Sequence, residues 1–173
     1  KWRDQSITRY REDPVANDRG MFIYIRNLNT NAVWSATYQP TRVVPDEYEV
    51  TFAEDKAEFR RVDQDIETVT EIIVCSENDG EIRRVSVTNH GTEPCVLEIT
   101  SFFEVVLDHP KADAAHPAFG NLFVLTEYVP EVNALLATRR AREQDRTPLW
   151  VMHTVAVDGQ VVGELEYETD RSR

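Results

Sequence analysis

The chain is poor in the residues that staple, break or anchor a fold. Its two cysteines, Cys75 and Cys95 in 173 residues, are too few for the disulfide framework of a small secreted domain. Neither sits in a CxxC pair and no Cys and His cluster has zinc-site spacing, so two reduced, buried thiols are expected and a metal site is not. Six glycines and eight prolines exclude collagen-like and low-complexity chains. No apolar run approaches the roughly 20 residues of a membrane-spanning helix, and the opening KWRDQSITRYRED is too charged for a signal peptide. The segment is therefore expected to be cytoplasmic, without membrane insertion of its own. Basic residues are also scarce: 19 against 31 acidic ones give a formal charge of −12, which phosphate backbones and anionic bilayers repel, so nucleic acid is excluded as a partner. No methionine precedes Met21, as expected of a piece of a longer protein.

What is present suits a sheet. Hydrophobic residues make up 41% of the chain, enough for a substantial core. Valine and isoleucine together number 29, with 15 threonines beside them, and branched side chains fit a pleated surface better than a helix. The composition predicts an all-β protein in one domain, residues 1–173.

Periodicity gives a series of strands separated by polar turns. At odd positions, residues 95–107 run Cys95, Leu97, Ile99, Ser101, Phe103, Val105, Leu107, predicting one strand buried along one face. At about 3.3 Å per residue it would span roughly 43 Å, which points to a large sandwich. Residues 47–52 and 66–75 alternate likewise, and the short AEDK and VDQD connections read as antiparallel hairpin turns. With IRRVSVT at 82–88 this predicts a meander over 47–108. MFIYIRN and AVWSATYQ flank Leu28–Asn31 as another hairpin. NLFVLTEYV, NALLATRR and PLWVMHTVAV are apolar at both parities, as for strands covered on both faces, with a short helix at Leu135 and Leu136 as the alternative. Asp158 and Gly159 read as a turn into a strand over Val161 to Glu168.

The longest break, DHPKADAAHPAFGN, carries two His-Pro pairs, a phenylalanine and an asparagine. Such a loop on a β scaffold is either functional or the cover of a sheet edge. Glu104, Asp108, Asp113 and Glu127 lie near it, but in so acidic a chain carboxylates fall near any loop, and a solvated sheet face accounts for them. His109, Asp113 and His116 are conceivable metal ligands without motif spacing, and each histidine is held extended by the proline after it. Ser86 and Ser101 have no glycine elbow. No self-contained catalytic machinery is visible, and no cofactor is called for. Trp34, Tyr38 and Gln39 lie in VWSATYQPT, and the shared parity of Trp34 and Tyr38 allows both rings on one strand face. They are either core aromatics or a platform for stacking sugar rings.

Several stretches, in order, resemble a known pattern: TRYREDP, MFIYIRN, VWSATYQPT, YEVTFAEDKAEF, RRVSVTNHGTEP, AAHPAFGNLFVLTEYVPE and ALLATRR. They are similar to the N-terminal β-sandwich domain of the inverting glycoside phosphorylases, such as cellobiose and chitobiose phosphorylases, and within that group to the phosphorylase-like region of cyclic β-1,2-glucan synthases. The resemblance implies a large antiparallel supersandwich, like that of galactose mutarotases. It implies packing against a separate (α/α)₆ barrel that carries the catalytic acid, with inorganic phosphate as co-substrate of the parent enzyme. A β-linked glucan or oligosaccharide and homo-oligomer contacts are the implied partners. No catalytic residue carries over. Arg11, Glu12 and Asp13 of TRYREDP, and His116, Phe119 and Asn121 of AHPAFGN, are the implied carbohydrate-contacting or active-site-adjacent candidates beside Trp34, Tyr38 and Gln39. The family sandwich continues beyond YETDRSR, so an open sheet edge favouring association of copies is expected.

The preferred reading is a non-catalytic, carbohydrate-associated domain of a glucan synthase or phosphorylase. The alternatives are a stand-alone mutarotase-like epimerase using His116 or His153 with Glu127, and a pure interaction scaffold with Trp34 and Tyr38 in its core.

Overall fold

In the computed structural model, residues 2–10, 15, 18–140, 148–159 and 164–170 are described. In chain order the first strands are β1 (Ser6–Thr8), β2 (Met21–Asn27), β3 (Val33–Ser35), β4 (Glu47–Phe52), β5 (Ala57–Asp63), β6 (Ile66–Val74) and β7 (Glu81–Asn89). There follow β8 (Leu97–Phe103), β9 (Val105–Asp108), the short helices α1 (Pro110–Ala115) and α2 (Pro117–Asn121), β10 (Val124–Val129), β11 (Ala134–Arg139) and β12 (Trp150–Thr154). The fold is all-β, and every strand pair is antiparallel. The chain forms two compact units, Tyr10–Glu104 and Lys1–Arg9 with Val105–Arg173.

The Tyr10–Glu104 unit is a sandwich of a four-stranded sheet, β4-β5-β6-β7, and a three-stranded sheet, β3-β2-β8. AEDK and VDQD are the turns predicted, and Gln64 takes the positive φ of 57° that the tight β5–β6 turn requires. Cross-strand register decides the two faces of the larger sheet. Tyr48, Arg61, Thr68 and Val87 lie in one row, and Val50, Phe59, Thr70 and Val85 in the next. This face turns inward: Ile66 and Val87 pack against Ile25, Trp34, Ala36 and Leu97 of the other sheet and its loop. Removing side chains of this size from water supplies roughly 1.5–3 kcal/mol each.

The opposite face carries a charge ladder. Arg60 bonds Glu47 (2.8 Å) and Glu67 (2.8 Å), Lys56 bonds Glu58 and Glu71 (both 2.7 Å), and Arg84 bonds Glu71 (2.6 Å). Opposite charges across neighbouring strands stabilise this face, whereas like charges there would split it. The Lys56 ammonium and Arg84 guanidinium hold the Glu71 carboxyl below the usual glutamate range, with Lys56 the larger influence.

Arg61 breaks the apolar inner row without breaking the core. It is 0% exposed; its guanidinium is forked on Asp63 (2.6 and 2.5 Å) and donates to the carbonyls of Ser35 (2.8 Å), Thr37 (2.9 Å) and Val43 (3.3 Å). The 37–43 stretch belongs to no strand, and the guanidinium donates to carbonyls there and at the end of β3.

Several expectations need correction. The strand over 95–107 is two strands: β8 pairs with β2, the chain leaves the sandwich at Glu104, and β9 pairs with β1. Leu107 has φ 51°, and Ile99, predicted buried, is half-exposed on an edge strand. The meander accordingly ends at β7. The sheet β10-β11-β12 is not covered on both faces, because Leu125, Trp150 and Met152 on one face are exposed; Leu135 and Leu136 are in strand, not helix. Cys75 and Cys95 are free but only partly buried. Residues 164–170 have no regular secondary structure, and the rest of the predicted 161–168 strand lies outside the described residues.

Two outcomes follow from the sandwich. Arg61→Ala strands the Asp63 carboxylate and removes a donor from three carbonyls, and is expected to cost about 3–5 kcal/mol in urea unfolding. Glu71 has a depressed folded-state pKa, so its stabilisation is present above its ordinary value of 4.5 and lost as pH falls through the lower folded value. The stability gap between wild type and Glu71→Gln should thus be fullest near neutral pH and close below pH 4.5, read from urea midpoints across an acid series.

Candidate functional site

The loaded loop belongs to the unit formed by Lys1–Arg9 and Val105–Arg173, and it is helical. Each His-Pro pair starts a helix. His109, extended at φ −62° and ψ 136°, caps α1, its Nδ1 accepting the Lys111 N–H at 3.2 Å, with Pro110 in the first turn. His116 ends α1 and precedes Pro117, which opens α2. Proline is tolerated there because the first helical N–H has no intrahelical acceptor and the fixed φ already suits a helix.

Two arginines hold the helices down. β1 pairs with β9, which delivers the next residue, Arg9, under the loop. Arg9 is buried and donates to Asp113 Oδ1 through Nε (3.2 Å) and Nη2 (2.8 Å), to Asn121 Oδ1 (2.8 Å) and to the Pro117 carbonyl (3.2 Å). It joins α1 to α2 by charge-assisted bonds in a buried setting, where a missing partner would be costly. From β11, Arg139 donates to the carbonyls of Val106 (3.1 Å) and Gly120 (3.0 Å) and pairs with Asp108 (2.9 Å). Its guanidinium also lies 5.4 Å from the centre of the Phe123 ring, which meets Phe119 edge-on at 5.2 Å.

This bracing decides what the loop can present. Asp113 is turned inward on Arg9, and Asp108 is engaged by Arg139 and the His109 N–H (2.8 Å), so neither carboxylate faces a ligand. Among the described residues no three His, Cys, Asp or Glu side chains come together in a way that could hold a metal. Asn121 gives its carbonyl oxygen to Arg9. His116 is exposed and Phe119 is 53% exposed on α2, so an imidazole and an aromatic ring stand outward on a braced base.

The remaining candidates fall elsewhere. Trp34 is 4% exposed in the sandwich core. Tyr38 is 40% exposed, but β3 ends at Ser35, so the two rings are not on one strand face and the parity argument fails. Gln39 precedes Pro40 across a cis bond and accepts from Arg42 Nε at 3.3 Å. Arg11, Glu12 and Asp13 lie outside the described residues. Glu127 is level with Leu136 and Met152, whereas His153 is level with Leu135 and Tyr128. The two side chains leave opposite faces of their sheet and do not form an acid–base pair. Burial holds the His153 imidazole pKa below its ordinary value.

Arg9 and Arg139 are missing from the sequence-derived candidates although both stand in stretches that carry the resemblance, TRYREDP and ALLATRR. The signal was their position: each lies at or beside the end of a short strand.

If Arg9 braces the loop, Arg9→Ala should lower stability by about 3–5 kcal/mol and speed tryptic cleavage after exposed Lys111. Arg9→Lys, which keeps the charge without the fork, should fall between, in a timed digest resolved by mass spectrometry.

The family described as "Glycosyl hydrolase 94, supersandwich domain" matches residues 1–173. The chain is 36% identical over all its 173 residues to the cyclic beta-(1,2)-glucan synthase NdvB of Rhizobium meliloti (strain 1021), and covers 6% of that protein. Over 84 residues, 49% of this chain and 11% of the relative, it is 31% identical to the 3-O-beta-D-glucopyranosyl-beta-D-glucuronide phosphorylase of Paenibacillus borealis. The chain thus spans a small fraction of the curated relatives it matches. With its antiparallel sheets and a match over its whole length, the chain belongs to the glycosyl hydrolase 94 supersandwich domain family.

Proposed function

We propose that this chain is a non-catalytic domain of a cyclic β-1,2-glucan synthase or a related glycoside phosphorylase. It packs against a separate catalytic (α/α)₆ barrel and presents the α1–α2 loop to that barrel's glucan. The observation that carries this reading is similarity to a glucan synthase along the whole of this chain, in a chain whose loop aspartates are engaged by Arg9 and Arg139. Phosphate and the catalytic acid belong to the barrel in this reading. The parent works on the cytoplasmic side; among the described residues no helix is long and apolar enough to cross a membrane.

Phe119 supplies the stacking face and His116 a hydrogen-bonding edge. The ring can cover the C–H face of a glucose unit, burying apolar area without charge matching, which suits an acidic chain and a neutral polymer. Trp34 serves the core. The separation of Glu127 from His153 removes that pair from the epimerase alternative.

Titration of β-1,2-linked gluco-oligosaccharides into ¹⁵N-labelled chain should move amide signals over residues 116–123, with a Kd of about 1 mM, worth roughly −4 kcal/mol. Phe119→Ala should weaken this binding about tenfold. No movement at 10-fold excess over about 1 mM sugar would remove the sugar-contact half of the reading and leave the scaffold half.

A further inference from the structure

The sandwich interior contains polar atoms that its protein neighbours do not satisfy. Among the described residues, Thr68 Oγ1, Thr70 Oγ1 and Trp34 Nε1 are buried without a hydrogen-bond partner, all three within the Tyr10–Glu104 unit. Both threonines are at most 2% exposed. They point inward from β6, a central strand paired residue by residue with β5 and β7, so the adjacent backbone groups are committed to the ladder. Valine would fill the same space without a hydroxyl, and an unbonded hydroxyl in such a site is destabilising.

A small cavity of about 20 Å³ lies beside Thr70. Met21, Phe22, Ile23, Ala36 and Ile72 line it together with Thr37, Thr70 and Arg83. Arg83 spends Nε on Glu81 (2.6 Å) and Nη1 on the Met21 carbonyl (2.8 Å), leaving Nη2 as a donor. The Thr37 hydroxyl donates to the Gln39 carbonyl (3.0 Å), leaving its lone pairs as acceptors. A water needs about 10–15 Å³ and two to four polar partners; the residues lining this cavity include three that carry such groups, Thr37, Thr70 and Arg83.

We propose that this cavity is an internal hydration site. One ordered water accepts from Arg83, donates to Thr37 and bonds the Thr70 hydroxyl, bridging the four-stranded sheet to the loop after β3. The water belongs to the structure of the sandwich, independent of any sugar.

Oxygen-17 magnetic relaxation dispersion on the full chain reads long-lived internal waters directly. Thr70→Val should lower the dispersion amplitude by one such water, while Thr70→Ser, which keeps the hydroxyl, should retain it. The folded-to-unfolded ratio of Thr70→Val in urea should fall roughly fivefold. Equal amplitudes in wild type and Thr70→Val, or a Thr70→Val ratio that rises because a dry hydroxyl has been removed, would overturn the proposal.

Discussion

A guanidinium group closed off from water can be held only where a carboxylate and spare carbonyl oxygens converge, and this constraint organises the irregular parts of the molecule. Arg61 does it in the sandwich, where Asp63 and the carbonyls of Ser35, Thr37 and Val43 meet around a side chain with no exposure. Arg9 and Arg139 do it in the other unit with Asp113 and Asp108. Regular strands satisfy their own backbone; the 37–43 stretch and the α1–α2 loop lie outside them, and each arginine donates to a carboxylate and to at least one backbone carbonyl there. A lysine could carry the charge but not the geometry.

The same constraint sorts side chains into available and unavailable. The outer face of β4-β5-β6-β7 is closed on itself by ion pairs, and the loop aspartates are consumed by the arginines that brace them. The loop still presents an aromatic ring and an imidazole, Phe119 and His116. That suits a domain contributing a shaped surface to chemistry performed elsewhere, in keeping with a family whose relatives here are many times longer than this chain.

How much of this was legible depended on whether a feature was local. The strands over 47–52 and 66–74 and the two short turns between strands read correctly, because the period of two is local; which positions are covered is not, and all of β4 is exposed. The same alternation misled at 95–107, since an unbroken apolar parity says nothing about a change of pairing partner at Glu104. The shared parity of Trp34 and Tyr38 failed because β3 stops at Ser35, where Arg61 draws the chain away from the sheet. Arg61 itself sits on the inward parity with Ala57 and Phe59, a place where charge reads as error until its partners are known.

The sequence by itself determined an all-β chain, antiparallel hairpins, the family and the position of the loaded loop, since composition, period and turn chemistry act between near neighbours. Tertiary structure alone decided that the loop is two helices clamped from beneath, that Glu127 and His153 leave opposite faces of one sheet, and that the sandwich interior keeps polar groups. The reason is range. Arg9 and Asp113 stand 104 positions apart, and no local pattern states that β1 and β9 will pair and bring them within bonding distance.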